Sequence, residues 1–188
     1  MKYIKKSELY QKLNMLENAQ DKFLILCIYN GLCGKAFKNL INMKIKDIDF
    51  EKQKIAINGG EIHMDSFFMK IAKEAVMQKE YIKKNCFSNQ TNLSYMLNSN
   101  SVYILKSKPM KNNNNGLNPV TNNAINSRLA TIKNVIDYTP KNLETSRTID
   151  FLLSMKQQWK LEEIKMQLNK MNSNLYAYSI YQIINEKK

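Results

Sequence analysis

Arginine is almost missing from this chain. Arg128 and Arg147 are the only two among 29 lysines and arginines. The shortage excludes a site built from several guanidinium forks, which grip two phosphate oxygens at once and never lose their charge. Histidine is scarcer still, with His63 alone and no companion of metal-ligand type near it in the sequence. A structural or exposed strand histidine is expected there, with no catalytic role and no metal. Cys27, Cys33 and Cys86 are irregularly spaced, which is neither a disulfide framework nor a zinc pattern. They read as free thiols that behave as small hydrophobes. No apolar run approaches the roughly 18 residues of a membrane-spanning helix. The basic start at residues 1–6 leads into polar residues, not into the apolar core of a signal peptide. A cytoplasmic location is therefore expected. No cofactor motif is present, and none is expected to bind.

Lysine and asparagine fill the space that arginine leaves. The formal net charge is +13, an excess that suits a polyanionic partner, nucleic acid first. A low-GC genome writes the same excess of Lys and Asn, so composition alone leaves both explanations open. With 188 residues, 44% of them hydrophobic, the chain can fold as one domain with a real core.

The pattern is mostly helical with one small antiparallel sheet. Leu9, Leu13 and Leu16 make an apolar stripe behind Ser7, the expected N-cap of a first helix. A second helix starts near Asp21. Its stretch from Phe23 to Tyr29 is apolar on every side, which marks a buried helix, and Asn30-Gly31 ends it. A third covers about residues 36–43. Residues 54–58 alternate as a strand, Asn58-Gly59-Gly60 is a tight-turn signal, and residues 61–64 return. Asp65 caps a long helix. Residues 86–100 are polar, with a short helix expected around 93–97. Residues 102–105 are extended, and the Asn-rich stretch 106–118 is an exposed loop. Thr121 caps an amphipathic helix reaching Val135. Further helices cover about 140–153, 161–168 and 175–184. Trp159 reads as a core or interface residue. No repeat and no linker appear, so residues 1–188 read as a single domain.

Several motifs in this order resemble one family. The run from Gly34 through Ala36 and Asn39 to Asp47-Ile48-Asp49 is similar, without gaps, to Gly-Leu-Arg-x-x-Glu-Leu-x-x-Leu-x-x-x-Asp-Ile-Asp. Thr139-Pro140-Lys141-Asn142-Leu143-Glu144-Thr145 resembles Thr-Pro-His-x-Leu-Arg-His. Residues 164–170 resemble a segment ending in Leu-Gly-His, and Tyr181 follows Leu175 at the spacing of a nucleophile. Together these resemble the catalytic domain of the tyrosine recombinases, or phage integrases. The resemblance implies a recombinase catalytic-type fold, mainly α with a small antiparallel hairpin or sheet. No counterpart of the N-terminal core-binding domain that usually precedes it is expected in these residues.

The same alignment implies lost chemistry. The family's first catalytic Arg falls on Ala36, its His on Lys141 and its second Arg on Glu144. Its late His falls on Lys170 or, with a small shift, Asn172. No Lys occurs between Lys54 and Lys70, where the family's catalytic Lys stands. Such sites work by preorganised positive charge around the phosphorane. Tyr181 is the one position that survives, either as a residual nucleophile or as a half-buried helix aromatic. The resemblance thus implies an inactive homologue that binds double-stranded DNA, a transcriptional regulator or repressor of a phage or mobile element. The alternative is a protein-interaction module that joins a recombinase or repressor, or a second copy, through the C-terminal helix. An active strand-exchange enzyme is the third reading. By analogy the Thr121 helix approaches DNA, with Asn122, Asn123, Asn126, Arg128 and Lys133 as contacts, and Lys141 and Lys170 as backbone contacts. Asn and Gln suit adenine, and Arg suits guanine.

Overall fold

The all-round apolar stretch forms the heart of one buried helix. In the computed structural model, which describes residues 2–83, 93–155, 158–171, 173 and 175–185, this is α2 (Ala19–Tyr29). Every side chain in it except Lys22 is buried. It ends in a Schellman motif: Leu32 N–H donates to the Cys27 carbonyl at 2.9 Å and Gly31 N–H to that of Ile28 at 3.0 Å. Gly31 takes φ 70°, the left-handed turn this motif needs. Across from α2 lies α4 (Ser66–Met77), whose Asp65 cap accepts from Phe68 N–H. Phe23 and Phe68 meet edge to face at 5.5 Å. Each such buried ring contributes about 1.5–3 kcal/mol by leaving water.

The remaining elements are α1 (Lys6–Asn14), α3 (Lys38–Asn42), β1 (Ile48–Asp49), β2 (Lys54–Ile57), β3 (Gly60–His63), β4 (Glu80–Lys83), β5 (Leu93–Met96), α5 (Asn122–Thr131), α6 (Pro140–Met155), α7 (Leu161–Lys170) and α8 (Ala177–Asn185). The architecture is mainly α with small antiparallel sheets, as the sequence indicates. β1, β2 and β3 form one sheet and β4 with β5 a second. Asn58 and Gly59 link β2 to β3 with φ 51° and 77°, the two positive values of a type I′ turn.

Three expectations need correction. The short helix at 93–97 is a strand, with Tyr95 opposite Tyr81 and their rings stacked at 5.2 Å. A cross-strand aromatic pair outweighs the helix propensity of the flanking Leu and Met. Ser7 does not cap α1; instead the Asp150 carboxylate accepts from Lys6 N–H at 3.0 Å, a negative charge where a helix N-terminus favours one. The exposed loop at 106–118 has a buried start, because Lys106 is 3% exposed. Its ammonium donates to the carbonyls of Val76 and Gln78 at 2.7 and 3.2 Å, closing the C-terminal end of α4. Cys27 and Cys33 are buried thiols, and Cys86 lies outside the described residues.

The chain groups into two compact units, one of Lys12–Asp137 and one joining Met1–Gln11 to Tyr138–Lys188. The sequence reads as one domain because neither crossing carries a Gly- or Pro-rich linker, and the first falls inside α1. In the discontinuous unit, α6, α7 and α8 share a core of Ile149, Leu152, Trp159, Ile164, Leu168, Ile180 and Ile184. Trp159 Nε1 donates to the Leu152 carbonyl at 3.0 Å, which satisfies the one polar atom of a buried indole. The N-terminal segment is tied to α6 there: Ile4 N–H donates to Ser146 Oγ at 3.0 Å and Tyr3 Oη to Asp150. No helix of the described residues is long and apolar enough to cross a membrane.

Candidate functional site

The motif from Gly34 to Asp49 is in large part a set of backbone instructions. Gly34 has φ 66° and ψ 177°, a region that is nearly glycine-only. A Cβ there would stand 2.7 Å from the Asn39 side chain. Gly34→Ala is expected to destabilise the fold by about 1–3 kcal/mol through this strain; a loss below about 0.5 kcal/mol in urea unfolding, the level of an ordinary surface change, would count against that reading. Ala36 and Phe37 also lie at positive φ, 50° and 59°. The expected helix from Ala36 therefore begins only at Lys38, after a tight left-handed turn. Ala36, where the resemblance calls for an arginine, is exposed.

Asp47 and Asp49 serve as local caps. Asp47 accepts from Lys44 N–H at 2.8 Å, and Asp49 accepts from Glu51 and Lys52 N–H at 3.1 and 2.9 Å. The bond from Lys52 holds the Asp49 carboxyl below its ordinary range. Between them, buried Ile48 pairs with Ile55. On the hairpin, Lys54 Nζ is 2.7 Å from the Glu61 carboxylate, and His63 is exposed on β3. Among the described residues, no group of three His, Cys, Asp or Glu could hold a metal ion.

The second motif is likewise helix grammar first. Thr139 caps α6: its Oγ accepts from Asn142 N–H at 3.2 Å, and Thr139 N–H donates back to Asn142 Oδ1 at 3.2 Å. Pro140 takes the first helical position, where its missing N–H costs nothing. Lys141 and Glu144 are exposed one turn apart on this helix. Partial desolvation pushes the Glu144 carboxyl above its usual range. Leu143, Thr145 and Ser146 are buried, and Thr145 Oγ donates to the Lys141 carbonyl. Lys170 is exposed at the end of α7. Tyr181 is half-buried against the α6–α8 core, and its phenol makes no hydrogen bond among the described residues. Asn172 lies outside them.

The other proposed contacts sit on α5 or just after it. Thr121 caps it, accepting from Ala124 N–H at 3.2 Å. The helix ends at Thr131, with Ile132 closing onto the Arg128 carbonyl, so Lys133 and Val135 lie beyond it. Asn122, Asn123, Asn126 and Lys133 are exposed. Arg128 is not: it is 6% exposed. Its Nη2 donates to the Lys106 carbonyl at 2.7 Å and its Nη1 to Gln20 Oε1 at 3.3 Å. The guanidinium carbon lies 4.7 Å from the centre of the Tyr81 ring. Tyr81 Oη in turn donates to the Asp21 carboxylate at 2.9 and 3.0 Å. The guanidinium expected to read guanine is thus engaged inside the unit. Sequence reasoning missed the whole network of Gln20, Asp21, Tyr81, Lys106 and Arg128. Its one signal is the pair Gln20-Asp21 at the head of an otherwise apolar helix.

A mainly helical unit with a three-stranded antiparallel sheet, followed by helices that carry the Thr-Pro and Tyr181 positions, defines a tyrosine-recombinase-like catalytic domain. Over residues 3–188 the chain matches the family described as MrpR, C-terminal catalytic domain, and it belongs to that family. No curated protein matches it.

Proposed function

We propose that this chain is a non-catalytic, recombinase-fold DNA-binding protein of a phage or other mobile element, acting in the cytoplasm as a transcriptional regulator. The observation that carries this reading is the set of residues at the motif positions. Ala36, Lys141, Glu144 and Lys170 stand where the resemblance calls for Arg, His, Arg and His, while the chain keeps a net charge of +13. Phosphate affinity survives that exchange, because lysine supplies it as point charge; a transition-state clamp does not. Asn122, Asn123 and Asn126 are the side chains placed to read base edges, and Lys133, Lys141 and Lys170 those that meet phosphates. Arg128 leaves the base-reading set, because its donors serve the interior.

A second reading rests on exposed apolar side chains. Tyr176, Tyr178, Phe151 and Met155 are 69%, 48%, 46% and 52% exposed in the unit that carries α8. They suit a second copy or a recombinase or repressor partner.

A salt series of duplex binding separates the two. With about six phosphate contacts, affinity should fall on the order of 10³-fold between 50 and 200 mM salt. Single Lys133→Ala, Lys141→Ala and Lys170→Ala changes should weaken all duplexes alike and each reduce the slope by about 1. The triple change Asn122→Ala, Asn123→Ala and Asn126→Ala should instead flatten any preference among source-genome fragments. Absence of binding at low salt sinks the DNA-binding proposal and leaves the protein-interaction reading.

A further inference from the structure

Between the β4–β5 hairpin and α5 lies a cleft of about 180 Å³ that the proposed DNA contacts do not use. It is lined by Lys83, Lys108 and the buried Arg128, with Ser127, Thr131 and Tyr95. Among the described residues, no Asp or Glu lines it. The placement follows from the strands. Lys83 is two residues beyond Tyr81, so both point to the same face of β4, and Tyr95 stands opposite Tyr81 on β5. Lys108 Nζ is 5.5 Å from the centre of the Tyr95 ring. Arg128 is held against Tyr81 and shares its charge with Asp21. Lys83 and Lys108 make no ion pair among the described residues, so their charge faces the cleft uncompensated.

This lining has two parts with different chemistry. Ammonium groups and hydroxyls are donors for phosphate oxygens. Tyr95, Val120 and Ala124 form an aromatic and aliphatic wall for a flat organic body. At about 100° per residue, Ala124, Ser127, Arg128 and Thr131 fall on one side of α5, Asn122 and Asn126 fall away from it, and Asn123 sits beside Ser127 at the border. A duplex read by Asn122 and Asn126 therefore meets a different side of the helix from the cleft.

We propose that this cleft binds a small phosphate ester of the mononucleotide class, held by Lys83 and Lys108 and packed against Tyr95. Its coupling to DNA rests on the function proposed above: the ligand touches one side of the helix whose neighbouring exposed side meets the duplex. Binding itself does not rest on that reading.

The test is calorimetric titration of the full chain, free of DNA, with adenosine monophosphate and with inorganic pyrophosphate. Both should bind, the nucleotide more tightly. The double change Lys83→Ala and Lys108→Ala should weaken both by at least about tenfold, the loss expected from removing charge-assisted hydrogen bonds. Lys73→Ala with Lys160→Ala, two exposed lysines outside the cleft, removes the same charge elsewhere and should leave the titration unchanged. Failure of both ligands to bind at millimolar concentration overturns the proposal. So does an equal loss in the two double variants, which would mean attraction by general charge only. Unchanged nucleotide binding with lost duplex binding in the Lys83/Lys108 variant would make the cleft a DNA-backbone subsite instead. If duplex binding fails in the unaltered chain but the nucleotide titration depends on Lys83 and Lys108, the site stands and the DNA-binding reading falls.

Discussion

Arg128→Ala is expected to lower the unfolding free energy by about 3–5 kcal/mol, the cost of removing one partner from a buried charged network. Three losses add up in the same place. The Lys106 carbonyl and Gln20 Oε1 each lose a guanidinium donor, the Tyr81 ring loses its cation, and Asp21, 2% exposed, keeps its carboxylate without the opposing charge. Typical domains have only about 5–15 kcal/mol in total, so the urea midpoint should move far. Arg128→Lys should recover little, because one ammonium cannot span the two acceptors that a planar fork reaches. The pH dependence is a sharper check. Burial raises the Asp21 carboxyl, while Arg128, Tyr81 and Asn18 oppose that rise. Without Arg128 the folded-state pKa climbs further above the unfolded value. Such a group favours folding below the unfolded pKa and loses that contribution as pH rises through the folded one. The deficit of Arg128→Ala should therefore be smaller near pH 4 than near pH 7. A deficit under about 1 kcal/mol, no larger than a typical point substitution, or one that grows on acidification, would show that Arg128 is not the keystone of this network.

That network marks where sequence stops being legible. Features fixed by neighbours in the chain could be read directly. The apolar run of α2, the Asn58-Gly59 turn, and the Asp65 and Thr121 caps depend on residues at most a few positions apart. The motif ladder was legible for a related reason: Gly34, Asp47, Asp49 and Thr139-Pro140 each satisfy a local backbone demand, so they keep a recognisable spacing even where the reactive positions between them differ. Arg128 is the opposite case. On the helical wheel it falls between Ala124 and Ile132 on the apolar side, but a guanidinium reads as solvent-facing until its partners are known, and Gln20 and Lys106 are 108 and 22 positions away. Lys106 looked like loop for the same reason, since the carbonyls it closes belong to α4. The strand at Leu93–Met96 needed Tyr81 opposite Tyr95 before its alternation meant anything. Within the candidate site the identities were legible at Ala36, Lys141, Glu144 and Lys170, but the left-handed turn at Ala36 was not, because Ala and Phe, unlike Gly or Asn, do not announce positive φ in a sequence.

Incubated with duplex DNA, the chain is expected to form no covalent protein–DNA adduct, and Tyr181→Phe is expected to leave DNA binding unchanged. A phenol becomes a nucleophile only with a base or electropositive surroundings. Tyr181 lies half-buried against the core of its own unit, with no hydrogen bond to its phenol among the described residues. Losing one preorganised group in such a site costs about 10²–10³ in rate. Because catalytic groups act as a unit, further losses do not simply multiply, so the expected deficit is at least about 10³ and not a product over four positions. On the proposed reading Glu144 opposes catalysis as well, by placing a carboxylate where the resemblance calls for an arginine. Glu144→Ala should then tighten duplex binding severalfold at low salt, the effect of removing one repulsive charge, and should still yield no adduct. Ala36→Arg alone should restore nothing, since it supplies one cation to a site that lacks the rest. An adduct in the unaltered chain that disappears in Tyr181→Phe would overturn this account and make the chain an enzyme with a rearranged site. An adduct appearing only on combining Ala36→Arg, Lys141→His and Glu144→Arg would show instead that the fold still holds the geometry and that these exchanges alone removed the chemistry.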